Sequence, residues 1–106
     1  MEPKIEVETH ERYVRWWDRL RDKRAKVWIN VRVERIQEDG NLGKHKFLRN
    51  GVWELKIDYG PGYRVYYTWV GGQIVLLLGG GDKSTQEHDI ERAIILAKEI
   101  KIENEK

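Results

Sequence analysis

The hydrophobic period of this chain changes once, at Gly40-Asn41-Leu42-Gly43, and that change constrains its fold more than any other feature. Before the glycines, apolar residues recur at helical spacing. Tyr13, Trp16, Trp17 and Leu20 form one stripe, as an amphipathic helix requires. A break near Asp22 leads into a second helix from about Arg24 to Glu38, with Ala25, Trp28, Ile29 and Ile36 on its inner side. After the glycines the period is two. Trp53, Leu55, Ile57 and Tyr59 alternate with Glu54, Lys56 and Asp58; Tyr63, Val65, Tyr67 and Trp69 alternate with Arg64, Tyr66 and Thr68. These are strands with two distinct faces, joined by a turn at Gly60-Pro61-Gly62.

Three further segments complete the order. Lys4–Glu8 alternates through Ile5 and Val7 as a short strand, with Thr9 placed to cap the helix behind it. A strand around Lys46–Leu48 precedes the Trp53 strand. The unbroken apolar run Ile74–Leu78 predicts an interior strand covered on both faces. Gly79 to Asp82 then reads as a loop, and Ser84 with Glu87 has the spacing of a capping box. The last helix carries Ile90, Ala93, Ile94, Ala97 and Ile100 inward. The expected fold is α+β: an N-terminal strand, a helical hairpin, an antiparallel sheet and a C-terminal helix, packed as one helical layer on one sheet. A length of 106 residues suits one domain spanning 1–106.

Charge is distributed unevenly. Between His10 and Arg35 nine Lys/Arg stand against four acids, whereas from Asp82 onward seven acids outnumber five bases. A basic leading half suits a polyanionic partner, although solvated helix faces produce the same pattern. With no cysteine and three scattered histidines, neither a metal site nor a cofactor is expected. No run approaches the ~20 apolar residues of a membrane span, and the first residues lack an apolar signal region, so a cytoplasmic protein is expected. Leu77 to Thr85 superficially resembles a phosphate-binding loop, but Leu77 and Asp82 occupy positions where that motif needs glycine.

Among titratable groups, His45 and His88 are candidates for acid–base work near neutrality, while His10 stands at a helix start and reads as structural. The face carrying Glu54, Lys56, Arg64 and Tyr66 fits the lining of a groove, or equally the solvent side of an antiparallel sheet.

Read together, Trp53-Glu54-Leu55-Lys56-Ile57-Asp58-Tyr59-Gly60-Pro61-Gly62-Tyr63-Arg64-Val65-Tyr66 and Gly80-Gly81-Asp82-Lys83-Ser84-Thr85-Gln86 resemble the RelE/HigB toxins, most closely the subgroup called addiction-module killer proteins. Gly40-Asn41-Leu42-Gly43 and Asp89-Ile90-Glu91-Arg92-Ala93 are similar to the same subgroup.

The resemblance implies a RelE-like fold and the toxin of a type II toxin–antitoxin pair. Such a toxin is an endoribonuclease that cleaves mRNA on the ribosome without a metal. The ribose 2′-OH attacks the adjacent phosphate, which requires a base, an acid for the leaving oxygen and cations for the developing charge. Arg64 matches the arginine of the family's Gly-Tyr-Arg strand and is expected to stabilise the phosphate. Lys56 matches a lysine of the RelE groove. Glu54 replaces a second lysine there, and fits either a base or the partner of a neighbouring cation. Lys83 is the expected basic contact of the C-terminal segment and His88 the expected acid, with Asp89 a further candidate. Lys44, His45, Lys46 and Tyr66 are assigned to RNA binding. The implied partner is a small antitoxin with a helix-turn-helix domain, and DNA is reached only through that complex. Two other readings stay open: a ParE-like gyrase poison on the same fold, and a non-catalytic component of a DNA-bound repressor complex.

Overall fold

A computed structural model describes residues 4–104. β1 (Glu6–Thr9) leads into α1 (Glu11–Arg19) and α2 (Lys23–Asp39). β2 (His45–Arg49), β3 (Val52–Ile57), β4 (Tyr63–Val70) and β5 (Ile74–Gly81) follow, then a 3-10 turn at Lys83–Thr85 and α3 (Gln86–Asn104). The five strands form one sheet in the order β1-β5-β4-β3-β2. β1 runs parallel to β5, and all other neighbours are antiparallel. The fold is α+β.

Both faces of the sheet are covered, so there are three layers rather than the two expected. Tyr13 from α1 and Ile29 and Ile36 from α2 pack with Leu55, Val65, Tyr67 and Leu77 on one face. On the other, Ile90, Ala93, Leu96 and Ala97 of α3 pack with Val52, Tyr66 and Leu78. This arrangement explains why β5 is apolar throughout: Leu77 and Leu78 serve opposite cores.

Local sequence explains the helix ends, with three changes from expectation. His10, not Thr9, caps α1, and its Nδ1 accepts from the amide of Arg12 at 3.1 Å. Thr9 is already committed to β1, where it pairs with Leu77. Asp22 caps α2 by accepting from the amide of Ala25 at 3.1 Å, and Gly40 ends that helix in the left-handed conformation that glycine adopts most easily. Trp28 is not on the inner side: it is 52% exposed, because it lies about 60° round the helix from Ala25. Nor is Ser84 a cap. Asp82 precedes the 3-10 turn and accepts from the Ser84 amide at 2.8 Å. Ser84's hydroxyl and amide together hold the Asp82 carboxyl below its ordinary range.

Gly79 to Gly81, expected as a loop, belong to β5. The strand carries a register shift opposite Tyr66 and Tyr67 and continues pairing to Gly81 beside Arg64. Glycines allow this because both neighbouring layers lie close: a Cβ on Gly80 would stand 2.6 Å from the Trp16 ring.

Arg32 ties α2 to the start of the sheet. Its guanidinium donates to the carbonyls of Leu42 and Lys44, each at 2.8 Å, and to that of Lys56. It thereby fixes the loop before β2 and the backbone under Lys56. Burial lowers its pKa, with Arg35 adding to the effect.

Candidate active site

The residues Glu54, Lys56 and Arg64 are brought together by register. Lys56 on β3 is directly opposite Arg64 on β4, and Glu54 is opposite Tyr66. Across the other edge Lys46 pairs with Glu54. Cross-strand partners share a face, so these five side chains belong to the face that α3 covers.

Arg64 and Glu54 are only 7% and 5% exposed, and form an ion pair with Nε 3.1 Å from Oε1. Nε lacks hydrogen-bond alignment with that oxygen, so the contact is chiefly one of charge. Nη1 of Arg64 donates to the carbonyl of Gly62 at 2.7 Å. Glu54 Oε1 also accepts from the side-chain amide of Gln86, at 3.1 Å, in the first turn of α3. The guanidinium is thus held on two sides and retains Nη2 as the nitrogen used by neither Gly62 nor Glu54. Both members of the pair are desolvated, a situation tolerable only when the charges stay together.

Arg64 therefore does not project onto an open face as strand alternation suggested. Alternation separates the two faces of a strand, and α3 closes the one that carries Arg64. Tyr66 is 1% exposed beneath the same helix, which removes it as a surface for base stacking. Burial raises its pKa, and the charges of Glu54 and Asp89 raise it further.

The rim is basic. Lys56 is half-buried, Lys46 and Lys83 are exposed. Lys83 and Arg64 flank the turn at Gly62: a Cβ there would stand 3.9 Å from Cβ of Lys83 and 3.4 Å from Nη1 of Arg64.

Three expected residues lie elsewhere. His45 is opposite Leu55 and belongs to the other face of the sheet, where its ring sits 6.0 Å from that of Trp53. Its Nδ1 is 2.8 Å from the Gly43 carbonyl. Lys44 is exposed and paired with Asp58 at 3.1 Å; that lysine also lowers the Asp58 pKa. His88 is exposed, about 200° round α3 from Gln86, and so points away from the pair that Gln86 contacts. Asp89 accepts from the Thr85 hydroxyl at 2.6 Å and stands against Gly81.

Gln86 is the site residue that the sequence did not single out. It closes the Gly80–Gln86 segment that carries the resemblance, and the structure places it at the first position of α3. Among the described residues no group of three or more His, Cys, Asp or Glu side chains could hold a metal ion, and no helix is long and apolar enough to cross a membrane.

Residues 15–101 match the family described as "Phage derived protein Gp49-like (DUF891)". The chain belongs to that family. An uncharacterized protein of Haemophilus influenzae is 46% identical over 96 residues, covering 91% of this chain and 96% of its own length. In structure the chain is similar to the toxin–antitoxin complex RelBE of E. coli, with TM-score 0.59 and 16% identity over 74% of this chain and 95% of the matched one. It is also similar to a mutant E. coli toxin RelE bound to an antitoxin RelB peptide: TM-score 0.55, 16% identity, 83% and 93% covered. At that identity the likeness is one of fold, and the RelE-like fold is the fold of this Gp49-like chain.

Proposed function

We propose that this Gp49-like chain is the toxin of a type II toxin–antitoxin pair and an endoribonuclease that cleaves mRNA at the ribosome in the cytoplasm. One observation carries the reading: a buried carboxylate–guanidinium pair, Glu54 with Arg64, has Lys46 and Lys56 as cross-strand neighbours and Lys83 beside the turn at Gly62. Cations around one carboxylate suit a phosphodiester whose charge grows during reaction. RelE and its antitoxin supply the analogy of fold and partner.

In the proposed step the ribose 2′-oxygen loses its proton and bonds to the adjacent phosphorus, and the bond to the 5′-oxygen breaks. The products are a 2′,3′-cyclic phosphate and a 5′-hydroxyl, its proton supplied by water at the open rim beside Lys56. Arg64 Nη2 and Lys56 neutralise the phosphate oxygens, Lys83 and Lys46 draw in the strand, and Glu54 holds Arg64 in place or accepts the 2′-proton when Gln86 releases it. His88 has no part, since it faces away. The ribosome supplies part of the orientation, worth many-fold in rate where few groups do chemistry. A small antitoxin, of helix-turn-helix type, neutralises the toxin by laying acidic segments over the basic rim; DNA is met only through that complex.

Expression without the partner tests this. Translation should fall before DNA synthesis, with new mRNA 5′ ends and cyclic or 3′ phosphates on the upstream fragments, and cleavage should persist with EDTA once ribosome integrity is controlled. Early DNA breakage with intact mRNA would move the assignment to gyrase poisoning, and a 5′ phosphate with a 3′-hydroxyl would contradict the chemistry.

A further inference from the structure

The pairing of β1 with β5 ends where Thr9 meets Leu77, which leaves the last residues of β5 without a strand on that side. α1 and α3 approach this bare stretch and leave a cavity of about 320 Å³ between them. Arg12, Arg15 and Arg19 line it from α1, and Arg92 from α3. Asp89 is the one carboxylate among the lining residues, and its Oδ2 already accepts from Thr85 at 2.6 Å.

Two observations indicate that the cavity is built for an anion. Among the described residues, Arg15 has an ion-pair partner in Glu11, but Arg12, Arg19 and Arg92 have no carboxylate within 4.0 Å. The four guanidinia are exposed, so solvent and salt screen their mutual repulsion, and they remain free to meet an anion in the cavity. In addition, the Tyr66 hydroxyl is buried and has no hydrogen-bond partner among the described residues, and Tyr66 lines the same cavity. As a neutral phenol it is a donor with no acceptor.

The spacing of these groups favours a polymer. Arg12 to Arg19 extends about 10 Å along α1, longer than one carboxylate can use. Tyr66 follows Arg64 on the same strand face, about 7 Å further along. We infer that the cavity between α1 and α3 is a phosphate-binding pocket for RNA, gripping the backbone of the strand presented to Arg64. The inference rests on the ribonuclease reading for its ligand, but concerns residues outside the reacting cluster.

The test is equilibrium binding of a fluorescent 2′-O-methyl RNA dodecamer, which cannot undergo 2′-OH attack, measured across a salt series. Arg92→Gln alone and Arg12→Gln/Arg19→Gln together should each weaken binding several-fold. The slope of log affinity against log salt should fall by roughly 0.7 per arginine removed. Tyr66→Phe should weaken binding while raising the thermal midpoint, since it deletes an unpartnered buried hydroxyl; a purely structural tyrosine would not separate the two readouts. Folded variants of both helices that bind the RNA with parental affinity and slope overturn the proposal. So does loss of antitoxin affinity with RNA binding unchanged, which would assign the pocket to an acidic peptide. If the parent binds RNA through these arginines but never cleaves it, the ribonuclease reading fails and the pocket stands.

Discussion

Replacing Arg64 with alanine asks how much of this site is also scaffold. From strand alternation the residue belongs to a surface, where an ion pair contributes only ~0–1 kcal/mol and its loss would leave folding nearly intact. The structure reverses that expectation. Arg64 and Glu54 are 7% and 5% exposed with 3.1 Å between Nε and Oε1. Alanine would leave the Glu54 carboxylate facing Gln86 alone. Removing one partner of a buried pair costs about 3–5 kcal/mol, and loss of the hydrogen bond to the Gly62 carbonyl adds about 1 kcal/mol. A chain of this size has ~5–15 kcal/mol in total, so the thermal midpoint should fall by roughly 15 °C or more. Urea melts of Arg64→Ala, Glu54→Leu and the double variant Glu54→Leu/Arg64→Met give the assay. The double variant should recover much of the stability, because no charge is then left unpaired, yet remain non-toxic. Growth assays must be compared at equal folded fraction. An Arg64→Ala chain that melts within about 1 kcal/mol of the parent would refute the buried-pair argument, and one that is folded and fully toxic would remove Arg64 from the mechanism.

Other outcomes follow from the same structure. Arg32→Ala should cost about 2–3 kcal/mol in urea melts, because the carbonyls of Leu42, Lys44 and Lys56 lose a common donor; Arg32→Lys should recover less than half. Alkaline unfolding should be steep. Burial pushes Tyr13 and Tyr67 up to about 12 from 10.0 and raises Tyr66 as well. Folded-state values above the unfolded one mean full stability below pH 10 and progressive loss between about 10 and 12, near 1.4 kcal/mol per pH unit for each tyrosine. Denaturant midpoints followed with tyrosinate absorbance check this, and a stability flat to pH 12 would contradict it.

Much of the fold was legible because local patterns specify local structure. The change of period at Gly40–Gly43 separates the helices from the meander, and alternation places Lys56 and Arg64 on one face, where the structure pairs them across the strands. What was not legible depended on contacts distant in sequence. Gly79-Gly80-Gly81 carries no side-chain pattern, so its strand pairing with Tyr66, Val65 and Arg64 could not be read. Alternation placed Arg64, Glu54 and Tyr66 on a common face but could not say that α3 lies over it. That one unknown accounts for the corrected exposure of all three and for the missed role of Gln86. His88 failed for a related reason: near the start of α3 the choice between sheet side and solvent side turns on a single residue of phase.

The segment from Gly81 to Asp89 joins the two halves of the site, which makes Gly81 the most informative position outside them. A Cβ there would fall on Oδ2 of Asp89, and would lie 2.9 Å from its Cγ and 3.0 Å from the Thr85 hydroxyl oxygen. No left-handed backbone is involved, so the cost of Gly81→Ala arises from space alone. The Thr85–Asp89 hydrogen bond at 2.6 Å stands in the way, and relief requires the Asp89 carboxylate to swing aside, breaking that bond and loosening the first turn of α3. That turn also carries Gln86, which holds Glu54. Gly81→Ala should therefore cost about 1–3 kcal/mol and reduce toxicity at equal folded fraction. Asp89→Ala should restore part of both, since it clears the space. Gly71→Ala is the control: its backbone is left-handed (φ +62) and nothing lies within 4 Å of a Cβ there, so it should lower stability by strain alone, about 1 kcal/mol, while leaving the Gln86–Glu54 contact in place. If Gly71→Ala and Gly81→Ala reduce toxicity equally once folded fractions are matched, the geometry of α3's first turn does not govern the site.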